Sequence, residues 1–311
     1  MSAGRPLVVR GHAHAPAWPD AAVAIGNFDG VHAGHRALLA RARVLGDHVV
    51  ALTFDPHPAT LLAPGGAPPA LTGLERKLEL LGEAGADAIV VEPFTRALAA
   101  LAPDVFVDEI VLRALSARAI VVGYDFTYGC KRAGTIDHLR EHGLRHGVAV
   151  EIVEPVEVGG EVASSTRIRA LLAAGDVAAA ERLLGRPWDV DGIVVPGAQR
   201  GRTIGVPTAN IAAPVDLPLR PGIYAVTLDG RPAVASLGTN PTFVAGDKLV
   251  LEVHVLDFDG DLYGRRLRTA FVGRLRDEAK YDSVDALIVQ IRADIAAARG
   301  LLAAHASLRN A

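Results

Sequence analysis

Five short, almost wholly apolar runs recur through the first 185 or so residues: Val23–Gly26, Val49–Phe54, Ala88–Val91, Ala119–Gly123 and Val148–Val153. Strands that are covered on one face only alternate apolar with polar residues. Continuous runs mark strands covered on both faces, as in parallel sheets. Helical patterns fill the gaps, near Ala33–Ala42, Glu75–Gly82, Asp104–Arg113 and Thr135–Gly143. This alternation predicts a doubly wound α/β sheet, in which ligands bind beyond the carboxyl ends of the strands.

From Ser164 the pattern changes. "SSTRIRALLAAGDVAAAERLLGRPW" reads as two short helices broken at Gly175-Asp176, with Asp176 as N-cap and Gly185 followed by Pro187 as the stop. Beyond it lie the candidate strands DVDGIVV, GIYAVTL, RPAVASLG, LVLEVHVL and RRLRTAFV, separated by turn signals. Their spacing predicts a closed antiparallel barrel. The chain ends in an amphipathic helix whose stripe is Val284, Leu287, Ile288, Ile291 and Ile295. A length of 311 residues fits two domains, and we place the boundary at Arg186, giving 1–186 and 187–311. The stretch "APGGAPPALTG", Ala63 to Gly73, is a cluster of turn formers and is expected to be a mobile surface loop rather than a lid.

A formal net charge of −3 supplies no basic field for nucleic acid. The longest apolar runs fall short of the ~18 residues that span a bilayer. A single cysteine, Cys130, excludes an internal disulfide and any multi-cysteine metal site. With no leader-like apolar stretch at the N-terminus, a cytoplasmic protein is expected.

"IGNFDGVHAGH", Ile25 to His35, sits at the end of the first apolar run. Asp29, His32 and His35 could offer metal ligands at i, i+3 and i+6, but the spacing is not that of H-E-x-x-H and the leading glycine turn would hold them loosely. Phosphate is the better reading. A glycine turn leading into a helix N-terminus presents backbone N–H groups and positive partial charge. Histidines there add donors, and Gly34 lets a nucleotide approach the backbone. Two histidines that merely pack at a helix start would not need those glycines.

The segment Gly26-Asn27-Phe28-Asp29-Gly30 through His32-Ala33-Gly34-His35 resembles the nucleotidyltransferase superfamily marked by His-x-Gly-His. "SSTRIR", Ser164 to Arg169, resembles its second mark, where hydroxyls, amides and arginines hold β- and γ-phosphates. "FDPHP", "VVGYDFTYG" and "KRAG" narrow the resemblance to the bacterial bifunctional riboflavin kinase/FAD synthetases, and in the barrel "GAQRGRTIGVPTAN" resembles the riboflavin kinase phosphate loop. A small departure lies at the start of "KRAG", where Cys130 and Lys131 occupy a variable stretch, and Pro196-Gly197 stands where relatives often carry His-Gly.

The resemblance implies an HxGH-type adenylyltransferase domain followed by a β-barrel riboflavin kinase domain. Riboflavin, FMN, FAD and ATP are the implied substrates and products, with Mg²⁺ as metal, and monomer or homo-oligomer is left open. His32 and His35 become transition-state stabilisers, with Gly26, Asn27, Phe28, Asp29, Gly34, Ser164, Ser165, Thr166 and Arg167 about the nucleotide. In the barrel Gly197, Arg202, Gly205, Pro207, Thr208 and Asn210 take ATP, the last threonine and asparagine also holding the metal. Glu252 becomes the base. It stands with Val250 and His254 on the face of LVLEVHVL opposite Leu249, Leu251, Val253 and Val255. Asp125, Phe126 and Tyr128 in one domain and Arg274, Arg276 and Glu278 in the other become flavin contacts, although alternate aromatics after a strand also read as core.

Overall fold

The computed structural model describes residues 5–197, 205–213, 215–239 and 249–310. Its chain divides into two compact units, Met1–Pro68 with Leu74–Ser164, and Pro69–Gly73 with Ser165–Ala311.

The first unit is built on six parallel strands: β1 (Leu7–Arg10), β2 (Ala21–Ile25), β3 (His48–Asp55), β4 (Ala88–Pro93), β5 (Ala117–Gly123) and β6 (Ala149–Val153), in the order β1-β4-β3-β2-β5-β6, followed by a small antiparallel pair, β7 (Glu157–Val158) and β8 (Glu161–Val162). All five apolar runs became strands, and β2 is buried along its whole length. The edge strand β1 went unread, because four residues with exposed Leu7 and Val8 carry no such pattern. The helices are α1 (Ala33–Leu45), α2 (Ala59–Leu62), α3 (Leu74–Glu83), α4 (Arg96–Ala99), α5 (Pro103–Val105) and α6 (Ile136–His146). The expected helix near Asp104–Arg113 is α5 running on into a π-helical stretch, Phe106–Ala114. Separate apolar cores form on the two sheet faces, one around Ile25, Leu52, Phe106 and Ile110, the other around Phe28, Leu38, Leu39 and Leu81. The strand order reverses between β2 and β5, so the crevice for a ligand lies beyond Ile25 and Gly123.

The second unit opens with α7 (Ser165–Ala174) and α8 (Val177–Leu184). Asp176 caps α8 by accepting from the Ala179 N–H at 2.9 Å, and Gly185 closes it at φ 71°. The strands β9 (Trp188–Val195), β10 (Ala209–Ala212), β11 (Gly222–Leu228), β12 (Arg231–Thr239), β13 (Leu249–Val255) and β14 (Arg266–Arg276) close an antiparallel barrel in the order β10-β13-β12-β11-β14-β9. The rings of Trp188, Tyr224 and Phe271 pack together at 5.1 and 5.5 Å. The helix α9 (Val284–Asn310) continues well past its predicted stripe, burying Ala298 and Leu302 against Ala225 and Val272, while Val284 at its start is 59% exposed.

One expectation is corrected. Residues 69–73 are not a free loop: Leu71 and Thr72 are buried, and the Leu71 carbonyl accepts from the Trp188 indole N–H at 2.8 Å. The Arg169 guanidinium donates to the Pro69 carbonyl at 2.7 Å. Turn-forming residues only surround the one leucine that the second unit takes into its packing.

Candidate active sites

The loop after β2 is tightly wound. Phe28, Gly30 and Val31 all have positive φ, 52°, 86° and 42°. For the β-branched Val31 that conformation costs roughly 1–3 kcal/mol, and such strain gathers at functional sites. The loop delivers His32 to the N-cap of α1 without a side-chain capping bond. The rings of His32 and His35 stack with centroids 3.7 Å apart and planes 25° from parallel. The Nδ1 atom of each is buried and makes no hydrogen bond within the protein. Burial lowers His32 from its ordinary 6.5 to about 4. His35 is lowered well below 6.5 by desolvation first, then by His32 and Lys77. Two neutral imidazoles with spare ring nitrogens therefore face a helix start whose first amides have no partner inside the helix. Phe28 is fully buried and supports His35 edge-on at 5.2 Å. A Cβ on Gly34 would lie 3.1 Å from the His32 ring and 3.4 Å from the Ala163 carbonyl, the residue before Ser164.

Lys77 was not anticipated. It stands on α3, 9% exposed, and its ammonium donates to the Asn27 carbonyl at 3.3 Å, the Thr53 hydroxyl at 3.2 Å and the Phe54 carbonyl at 3.4 Å. Thr53 in turn donates to the same Asn27 carbonyl at 3.1 Å. Burial lowers the Lys77 pKa, while Asp29 and Asp55 raise it. A signal existed: Lys77 falls on the apolar side of α3, three and four residues before Leu80 and Leu81, where a lysine needs a partner.

In the barrel, Asn210 on β10 pairs directly with Glu252 on β13, which pairs on its other side with Ser236 on β12. Leu251, Val253 and Val255 are buried, so Glu252 and His254 emerge on the opposite face, as the alternation predicts. The His254 ring contacts the Pro207 carbonyl at 2.8 Å. Gly197 lies against Asn210 so closely that a Cβ would come within 2.0 Å of its amide nitrogen. Glu278 reaches Gly238, two residues beyond Ser236 on the same face, where a Cβ would clash at 2.0 Å. Burial raises the Glu278 pKa, and Arg276 opposes the shift. Arg202 lies outside the described residues. The strand β10 is four residues long and begins inside the polar motif that ends at Asn210, so it carries no strand pattern of its own.

Two family models match the chain, FAD synthetase over residues 14–167 and riboflavin kinase over residues 184–302. A bifunctional riboflavin kinase/FMN adenylyltransferase from Pseudomonas fluorescens is 42% identical over 290 residues, covering 91% of this chain and 93% of the relative. Its Escherichia coli K12 counterpart is 40% identical, covering 88% and 90%. The chain belongs to the bifunctional riboflavin kinase/FMN adenylyltransferases. It phosphorylates riboflavin to FMN and adenylylates FMN to FAD, with ATP as co-substrate. A Streptococcus pneumoniae crystal structure described as a macrolide-efflux protein superposes with a TM-score of 0.84 at 32% identity, covering 95% of this chain and 99% of that one. Among the described residues no helix is long and apolar enough to cross a membrane.

The flavin residues expected of a riboflavin kinase/FMN adenylyltransferase have distinct settings. Phe126 and Tyr128 stack at 5.4 Å, and Tyr128 is buried with its hydroxyl 2.7 Å from the His138 ring. Burial pushes the Tyr128 pKa up to about 12, with Asp104 adding to the rise. Asp125 lies between Gly123, the end of β5, and this pair. Arg276 is held bidentately by Asp294 at 2.9 and 2.6 Å, while Arg274 pairs with Asp277. Ser165 opens α7, and Thr166 and Arg167 are exposed on its first turn.

Proposed function

We propose a division of labour by residue, with FMN adenylylation assigned to 1–186 and riboflavin phosphorylation to 187–311. In the kinase reaction Glu252 accepts the proton of the ribityl hydroxyl, whose oxygen attacks the γ-phosphorus as ADP leaves. Thr208 and Asn210, with Gly197, Arg202, Gly205 and Pro207, hold the ATP. A hydroxyl and an amide oxygen are the hard donors Mg²⁺ prefers, and the pinning of Asn210 by Gly197 suits a fixed ligand. Bound there, Mg²⁺ would neutralise phosphate charge. Arg274, Arg276 and Glu278 shape the riboflavin side.

In the second reaction the FMN phosphate is already a nucleophile, so attack on the α-phosphorus needs no base, and pyrophosphate leaves. The protein needs only to align and stabilise charge. His32 and His35 donate from neutral rings, with Gly26, Asn27, Phe28, Asp29, Gly34, Ser164, Ser165, Thr166 and Arg167 framing the nucleotide. Asp125, Phe126 and Tyr128 face or back the flavin. Dependence on ATP supports a cytoplasmic setting.

The observation that supports this reading most is Asn210 paired directly with Glu252, which sets a phosphate-loop residue beside a carboxylate. The test separates the reactions by chromatography of flavins. Glu252→Gln should lower riboflavin phosphorylation ~10²–10⁴-fold and leave FMN adenylylation intact. His35→Asn should lower FAD formation ~10²–10³-fold and leave FMN formation intact. Full FMN formation by Glu252→Gln would remove the base assignment.

A further inference from the structure

A second histidine cluster lies on α6, between the segments 131–134 and 164–169, and touches Tyr128 through His138. On α6, His138, His142 and His146 recur every four residues and so share one helix face. Asp104 and Asp108, also four apart, face them from α5 and the π-helical stretch. The contacts form a ladder: His138 Nε2 to Asp104 Oδ1 at 3.2 Å, Asp104 Oδ1 to His142 Nδ1 at 2.8 Å, His142 Nε2 to Asp108 Oδ1 at 2.7 Å, and Asp108 Oδ1 to His146 Nε2 at 3.7 Å. Arg145 flanks it, 3.2 Å from His142 Nδ1 and 3.6 Å from Asp104. The ligand atoms of Asp108, His142 and His146 all lie within 4.8 Å of one another.

We propose that Asp108, His142 and His146 bind a first-row transition-metal dication, with Zn²⁺ the best match. Two imidazoles and one carboxylate are a borderline donor set, suited to Zn²⁺ and poor for Mg²⁺, which takes oxygen. Three protein ligands leave a fourth position for water. The rings of His142 and His146 stack at 4.6 Å, one helical turn apart, so both can present nitrogen to one point. His142 is 1% exposed and fixed. The Asp104 carboxylate at its Nδ1 holds Nε2 toward the metal, the arrangement in which a carboxylate orients a metal-binding histidine from behind. Asp108 and His146 are 39% and 44% exposed, which gives the ion an entry path and lets Asp108 swing from its hydrogen bond with His142 into coordination.

The test uses the full chain without an affinity tag, stripped with chelator and titrated with Zn²⁺, with Mg²⁺ as the control ion. Wild type is expected to bind one equivalent of Zn²⁺ that Mg²⁺ does not displace, and to melt at a higher temperature with it. His146→Ala, a half-exposed position outside both reactions, should weaken that equivalent by about tenfold or more while FMN and FAD formation continue. Asp108→Asn should do the same. His35→Asn serves to count any ion held at the α1 pair and should keep the equivalent. No Zn²⁺ uptake by wild type, or equal uptake by wild type, His146→Ala and Asp108→Asn, would overturn the proposal and leave the ladder as a set of ion pairs.

Discussion

At the scale of single residues, the stacked pair at α1 ties stability to pH. His32 titrates near 6.5 in an unfolded chain and near 4 in the folded one. As pH falls, the unfolded chain takes up its proton first. The neutral ring's contribution is therefore complete above pH 6.5 and drains away between 6.5 and about 4, on the order of 3 kcal/mol for His32. His35, shifted the same way, adds to the slope. Urea midpoints of the wild type should fall between pH 7 and pH 4.5, and His32→Asn should flatten that fall. Lys77 offers a second prediction. Its ammonium joins the Asn27 and Phe54 carbonyls and the Thr53 hydroxyl. Lys77→Met takes the donor from the Phe54 carbonyl and the Thr53 hydroxyl, while Thr53 still donates to Asn27, and costs about 1–3 kcal/mol. Denaturant titration should show that loss, and FAD formation should fall while FMN formation holds.

At the scale of elements, the chain just beyond β9 approaches β10 only because a side chain is missing there. Gly197→Ala would push Asn210 from its place beside Glu252, since the new Cβ falls 2.0 Å from its amide. Riboflavin phosphorylation should drop by about tenfold or more and require more ATP, with FMN adenylylation unchanged, as initial rates from each flavin would show. Period-two and near-continuous apolar patterns made β2 to β6, β13 and most of the barrel legible, because burial on one or both faces writes itself into the order of side chains. The strands β1 and β10 were not legible: each is four residues long, and β10 carries a polar motif. The π-helical turns of Phe106–Ala114 also escaped, since two turns are too few to tell their spacing from that of an α-helix. The side-chain alternation of the Glu252 strand was legible in the sequence, whereas the role given to Glu252 came from the family resemblance. For Lys77 only its place on the apolar side of α3 was legible; its partners, two carbonyls and a hydroxyl from other elements, were not.

At the scale of the whole molecule, the segment 69–73 belongs by its contacts to the second unit although the first unit flanks it on both sides. A fragment 165–311 would keep Trp188 as its one tryptophan and lose Leu71, the acceptor of its indole N–H. We expect its fluorescence to shift red and its stability to fall by about 1–3 kcal/mol. A peptide spanning 63–73 should partly restore the blue emission; an unshifted spectrum would mean the barrel seals itself. The consequence reaches the gene. No single cut in the reading frame hands each unit its own residues. A pair of separate genes made from this one would have to carry residues 69–73 in the kinase half as a grafted copy, or find another leucine for Trp188.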